Sequence, residues 1–403
     1  MRQLIALALI LLTFSCQKDN ENKLPQGMYR ATLDLSPNEE LPFNLKVRED
    51  NKIEIYNAEE VILIDEATYR NDSVFINFPI YEGYIAGVFN GFVFKGEYIK
   101  ESLDRIVPFT AKYNEDHRFK TSSDPVTNVS GVWEVVFSEG IEDDEYIAKG
   151  IFEQEGNRVT GTFRTTTGDY RFLDGVINGN VMRLSAFDGA HAFLFAAKVS
   201  DSSMQGRFYS GNHWKEPFVG KRNENYELPD ENTLTYLNDG YDKIEFSFPD
   251  ADGNTVSLSD QRFQDKVVVV QIMGTWCPNC LDESTYYSNY YKTHKSKDLE
   301  FVALAFEYAK TEEKAFQGIQ RLQKRLDIDY PILLAQYGSS SKAKAQEKLP
   351  MLNHVLSYPT TIFIDKKGVV RKIHTGFNGP ATGDKYESFK KEFTEFIDTL
   401  VAE

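Results

Sequence analysis

Two cysteines, Cys277 and Cys280, stand three apart in Trp276-Cys277-Pro278-Asn279-Cys280, and the chain holds only one other, Cys16. Thiols paired at this spacing either exchange with disulfides, one sulfur attacking and the other resolving, or form half of a zinc site. The sequence has no second Cys-x-x-Cys, and none of its six histidines has a partner at a metal-ligand spacing. Redox chemistry is therefore the expectation, with no metal and no cofactor beyond the Cys277–Cys280 pair itself.

The flanking elements suit that chemistry. Val267–Met273 is an apolar, β-branched run of the length of a fully buried parallel strand. Gly274 and Thr275 break it, and after Cys280 an aromatic, polar-spaced segment has the character of a helix. Pro278 then falls in the first helical turn, where its missing N–H costs little. Unpaired N–H groups at a helix start carry partial positive charge and favour a thiolate at Cys277, the expected attacking sulfur. Cys280, one turn further in, is expected to be more buried and to resolve.

Three stretches occur in a telling order: Phe246-Ser247-Phe248-Pro249-Asp250-Ala251-Asp252-Gly253, the strand into Trp-Cys-Pro-Asn-Cys, and Ser357-Tyr358-Pro359-Thr360-Thr361-Ile362-Phe363-Ile364-Asp365. Through them residues 241–403 resemble the TlpA-type (ResA-like) thioredoxin-like reductases. The resemblance implies a C-terminal α/β thioredoxin fold, an envelope location and thiol–disulfide oxidoreductase activity. It implies disulfide-containing envelope proteins as partners and a membrane electron donor for re-reduction. It also implies a cis Pro359 facing the dithiol, with Trp276, Pro278, Tyr358 and Thr360 beside it in substrate binding. Glu283, three residues past Cys280, matches a proton-handling glutamate of the family, whereas neighbouring Asp282 is expected to be a solvent-facing helix acid. Two positions depart from the pattern. Ser284 stands where a proline often follows that glutamate. Gln271 stands six residues before Cys277, where ordinary thioredoxins have a buried aspartate; it cannot take a proton, so any acid–base role shifts toward Glu283.

At 403 residues the chain is long enough for two or three domains. The formal net charge of −16 argues against nucleic acid or an anionic lipid surface as main partner. Met1-Arg2-Gln3 followed by the apolar Leu4–Leu12 has the form of a secretory signal, too short to span a bilayer. The signal ends at Cys16, which resembles a bacterial lipoprotein processing site, so residues 1–16 are expected to be a signal with a lipidated cysteine. An acylated Cys16 would anchor the chain in the envelope, facing the periplasm, through a polar tether at 17–25.

Residues 26–225 carry an internal duplication. Gly27-Met28-Tyr29-Arg30-Ala31-Thr32-Leu33 recurs as Gly131-Val132-Trp133-Glu134-Val135-Val136-Phe137, and Val107-Pro108-Phe109-Thr110-Ala111-Lys112 as Glu216-Pro217-Phe218-Val219-Gly220-Lys221. Short alternating runs with turns such as Asp50-Asn51 and Asn178-Gly179-Asn180 predict antiparallel β-structure, barrel- or sandwich-like, in copies at 26–125 and 126–225. Their aromatics, Tyr56, Tyr81, Tyr84, Phe92, Phe94, Phe187, Phe193 and Trp214, are expected in the core. His191 and His213 have no evident partner. A linker at 226–240 leads to the C-terminal domain at 241–403, where strand, helix, strand, helix, hairpin and helix follow in thioredoxin order.

The fold class expected is thus two-part: an N-terminal all-β duplicated region and a C-terminal α/β thioredoxin fold. A peroxidase reading fails because Val270 and Gly274 stand where a proline and a threonine are needed. The alternative from a different class is a ligand-binding or adhesive lipoprotein whose β module is primary and whose redox domain is accessory.

Overall fold

The structure, a computed structural model, describes residues 23–294 and 298–403. The expectations on Cys16, the signal and most of the tether lie outside the described residues. The first β unit runs from Gly27–Ser36 to Arg105–Tyr113 as nine consecutive antiparallel strands among the described residues, and the last pairs with the first. It stays open at one seam, since Glu60–Ile64 and Glu66–Arg70 follow each other without pairing.

The second unit repeats this up-and-down order and closes it. Its first strand, Gly131–Phe137, pairs with Tyr146–Glu155 on one side and Trp214–Arg222 on the other. Tyr146–Glu155 also pairs with Arg158–Thr165, so no seam is left. Trp133, Phe137, Phe163 and Phe195 fill its interior. The two units share more than a connection. Phe187 and Leu194 of the second belong to the core of the first, and buried Asn57 accepts from Phe187 N at 3.1 Å while donating to Phe187 O at 2.9 Å.

Not every aromatic expected in the core lies there. Phe94, Phe187, Phe193 and Tyr81 are buried, but Phe92 is 70% and Trp214 45% exposed, because both stand beside hairpin turns, beyond the closed strand faces. His191 Nδ1 lies 3.4 Å from Asp188 Oδ2, and the His191 backbone N–H donates to Asp188 Oδ1 at 2.5 Å.

The C-terminal domain is a five-stranded sheet in the order Ile332–Gln336, Leu299–Phe306, Val267–Met273, Thr360–Ile364, Val370–Thr375. The first three strands run parallel, Thr360–Ile364 runs antiparallel to the central one, and Val370–Thr375 antiparallel to Thr360–Ile364. Val267–Met273 lies at the centre with every residue buried, as a β-branched run flanked on both faces requires. The helices are α1 (Pro278–His294), α2 (Glu312–Leu326), α3 (Lys342–Lys348) and α4 (Asp384–Ala402). Thr311 caps α2 by accepting from Lys314 N. The closing helix begins at Asp384, four residues before its apolar periodicity becomes visible at Ser388, because its first turn is polar. The Asp250–Asn254 string is a turn, with Asp250 Oδ1 accepting from Asp252 N and Asn254 N, between the strands Ser247–Pro249 and Thr255–Ser257.

Residues 226–240 lie along the C-terminal domain. Leu237 bridges to Leu352, Thr375 N donates to Glu231 O at 3.0 Å, and Lys385 pairs with Glu231. The connection is therefore bonded onto the domain it leads to.

Candidate functional site

The central strand ends at Met273 and α1 begins at Pro278, so the turn Gly274–Cys277 delivers both cysteines to one edge of the sheet. Its shape is held from the neighbouring strand. Glu307 accepts from Thr275 N and Thr275 Oγ1, both at 2.8 Å, and Trp276 Nε1 donates to Phe306 O at 2.9 Å. Glu307 is itself buried, and burial pushes its carboxyl up to about 7.

Both thiols are free. Cys277 Sγ receives the backbone N–H of Cys280 at 3.2 Å and donates to the carbonyl of Tyr358 at 3.3 Å. The Tyr358–Pro359 bond is cis, and the Tyr358 ring stands 5.6 Å from that of Trp276. Cys280 is wholly buried, and burial, then the hydrogen bond and charge of Cys277, push its thiol well above its ordinary range. Among the described residues no group of three His, Cys, Asp or Glu side chains is placed to share a metal ion.

Behind the sulfurs lies Glu283, buried on the inner face of α1. Gln271 Nε2 donates to it at 2.7 Å, Thr361 Oγ1 at 2.9 Å and Tyr287 Oη at 3.1 Å. Even so, burial prevails over these three donors and pushes the carboxyl up to about 7. Gln271, which departs from the family pattern, and Glu283, which matches it, are thus one hydrogen-bonded unit. Ser284 completes it by donating to Gln271 Oε1 at 3.1 Å, which a proline at that position cannot do.

The residues expected to bind substrate converge here, but most are covered. Pro278, Tyr358 and Pro359 are buried, Trp276 is half-buried, and Thr360 is fully buried with its hydroxyl turned to Ser357 O at 2.9 Å. The cover comes from the second β unit. The tip of its hairpin at 164–169 places Thr167 O on Ser357 Oγ at 2.9 Å and Asp169 O on Asn279 Nδ2 at 3.2 Å. Arg171 donates to Pro278 O at 3.2 Å.

Asp282 is not the solvent-facing acid expected of it. It pairs with Arg171, which also reaches Glu60 of the first β unit and Asp188 of the second. Burial opposes the charge on Arg171, but Asp282 and Glu60 outweigh it and hold the guanidinium firmly charged. Three carboxylates share one guanidinium, and Asp282 loses that competition: burial, resisted by Arg171, pushes it up to about 7. Sequence reasoning missed Glu307, which shapes the turn before Cys277, and the 164–171 hairpin, which covers the site from outside. Only the turn signal Thr167-Gly168-Asp169 marked the hairpin, and it carries no address.

Comparison with known proteins finds matches to the C-terminal part of the chain. A family model described as Redoxin matches residues 241–388, so the C-terminal part of the chain is a Redoxin domain of thioredoxin-like fold. Thioredoxin-like protein YneN of Bacillus subtilis (strain 168) is 29% identical over 140 residues, which are 35% of this chain and 73% of that protein. Thiol-disulfide oxidoreductase ResA of Bacillus thuringiensis subsp. konkukian (strain 97-27) is 27% identical over 155 residues, 38% of this chain and 78% of that protein. Among solved structures, a thiol-disulfide oxidoreductase from Bacteroides fragilis NCTC 9343 aligns with 37% of this chain and 99% of its own at 19% identity, with a TM-score of 0.27.

Proposed function

We propose that this chain is a thiol–disulfide oxidoreductase of the bacterial cell envelope, which reduces protein disulfides with the Cys277–Cys280 dithiol. The observation that carries the reading is the placement of two free thiols at the start of α1, with Cys277 Sγ held between the Cys280 N–H and the Tyr358 carbonyl. The Cys277 thiolate attacks one sulfur of a substrate disulfide, that S–S bond breaks, and the departing thiolate takes up a proton. Cys280, having given up its proton, attacks Cys277 Sγ and releases the second substrate thiol. The substrate gains two electrons and two protons, and the enzyme is left with a Cys277–Cys280 disulfide for a membrane electron donor to reduce. No further cofactor enters the cycle.

The test is two-electron titration. Reduced full-length chain mixed with bis(2-hydroxyethyl) disulfide should lose the Cys277 and Cys280 thiols together and become lighter by two hydrogens. Cys277→Ser should show no such loss. A wild-type chain that retains both thiols over a range of redox buffers would remove the reading.

Envelope anchoring rests on Leu4–Leu12 leading to Cys16. Among the described residues no helix is long and apolar enough to cross a membrane, and the anchor proposed is lipid on Cys16. Mass analysis of chain purified from bacterial membranes should show acyl groups on an N-terminal Cys16. A mature chain that begins elsewhere would refute lipidation.

A further inference from the structure

Exchange requires an incoming S–S bond to line up with Cys277 Sγ, and a protein disulfide brings chain on both sides of each sulfur. Such a substrate needs an open rim around Cys277. Three segments flank the dithiol and the cis-proline beside Trp276: the start of α1 at Pro278 and Asn279, the loop of Ser357 and Tyr358, and the loop Gly376–Gly379, whose Gly376 N donates to Pro359 O at 2.9 Å. Each is occupied by the second β unit. Thr167 O takes the Ser357 hydroxyl, and Asp169 takes the Asn279 amide through its carbonyl and Gly379 N, at 2.6 Å, through its carboxylate. Arg164 Nε donates to Asn378 Oδ1 at 2.9 Å.

The fit is tight enough to require glycine on both sides. A Cβ on Gly168, at φ +144°, would lie 2.1 Å from Asn279 Nδ2. A Cβ on Gly376, at φ +77°, would lie 2.7 Å from the Thr167 backbone. Cys277 is left 7% exposed. Beside Trp276 lie cavities of about 200 and 270 Å³, neither of them lined by Cys277, so the sulfur itself is reached only through its small exposed area.

We propose that the hairpin tip Thr167–Gly168–Asp169 selects which disulfides reach Cys277: closed, it admits small disulfides and excludes those carried on a protein segment. This deepens the oxidoreductase reading and rests on it. The tip is built to let go. It is polar throughout, Thr165-Thr166-Thr167-Gly168-Asp169, and meets the rim by hydrogen bonds that water can replace. What holds it down is Arg171 on Asp282 and on the Pro278 carbonyl, and a buried ion pair contributes little net stability once its desolvation is counted. A protein substrate reacts only with the open fraction, so its apparent rate scales with that fraction.

The experiment compares full-length wild type with Arg171→Met and, as a second route to the same loosening, Arg164→Met. Each is assayed on insulin and on bis(2-hydroxyethyl) disulfide, and Cys277 is alkylated with iodoacetamide and with a polyethylene glycol maleimide of about 5 kDa. Wild type should favour the small disulfide and the small reagent strongly. Either variant should raise kcat/KM on insulin and the rate of polymer labelling by about tenfold or more, as an enlarged open fraction demands, with the small-molecule rates within about twofold. Wild type labelled by the polymer as readily as an exposed cysteine overturns the lid. So do variants that speed both substrate classes equally, or neither. A wild type that reduces neither substrate would strike at the oxidoreductase reading instead, while the labelling still decides the lid.

Discussion

Replacing Cys280 with serine leaves Cys277 able to attack and unable to let go, so the chain should accumulate as a mixed disulfide. The two proposed roles fall on sulfurs that differ in burial. Cys277 keeps a sliver of exposure at the start of α1, whereas Cys280 has none and offers its backbone N–H to the Cys277 sulfur. Resolution by Cys280 is intramolecular, with the very high effective concentration such reactions carry, so turnover on a small disulfide should fall on the order of 1,000-fold without it. With bis(2-hydroxyethyl) disulfide, Cys280→Ser should gain the mass of one 2-hydroxyethanethiol half on Cys277, stable until an external thiol is added. Cys277→Ser should gain far less, because the remaining thiol is buried and its pKa is pushed well up, which starves it of thiolate. Equal adducts on the two variants would mean that the sulfurs share the attack, and the assignment of roles would fall. In cells, protein partners held by Cys280→Ser would identify the substrates.

The residues that were legible in the sequence are those whose signal is local. Val267–Met273 announces a buried strand by composition, the turn and Pro278 announce the helix start, and the cysteine spacing announces the chemistry. Gln271 and Glu283 were each conspicuous, yet their contact was not, since it depends on how α1 packs across the sheet. Asp282 was misread for a related reason. Its exposure is decided by Arg171, 111 residues earlier in a different unit, and no periodicity of α1 encodes that. The β region showed its repeat because both copies keep the same alternation. Only the pairing of strands Tyr146–Glu155 and Arg158–Thr165 closes the second barrel, and register of that kind is set by packing. A polar hairpin tip such as Thr167–Asp169 reads as any solvated turn until the surface it meets is known.

Glu283→Gln should make the chain more stable at alkaline pH and flatten the pH profile of exchange. The carboxyl is raised from 4.5 to about 7, chiefly by burial, so the folded state holds its proton more tightly than the unfolded state does. Between those two values the native chain binds the extra proton, and the stability this contributes is lost as pH rises through about 7. Full ionisation costs on the order of 3 kcal/mol, since each tenfold difference in proton affinity between the folded and unfolded chain is worth about 1.4 kcal/mol. Glutamine fits the same cage. Its carbonyl accepts from Thr361 and Tyr287, and turning over the Gln271 amide, with Ser284 then accepting, restores the remaining bond. Denaturant titrations at pH 5.5 and 8.5 should show wild type losing stability across that interval relative to the variant. Other buried titrating groups, such as His374, contribute equally to both chains and cancel. The kinetic arm separates a packing role from proton handling. Glu283 lies one turn beyond Cys280, and its charge adds to the rise of the Cys280 thiol. If Glu283 receives the Cys280 proton, release of the mixed disulfide should show an inflection near pH 7 in wild type. That inflection should vanish in Glu283→Gln, with the step slowed on the order of 100-fold. A variant whose pH profile overlays that of wild type would make Glu283 a buried structural acid, and Cys280 would then lose its proton by another path.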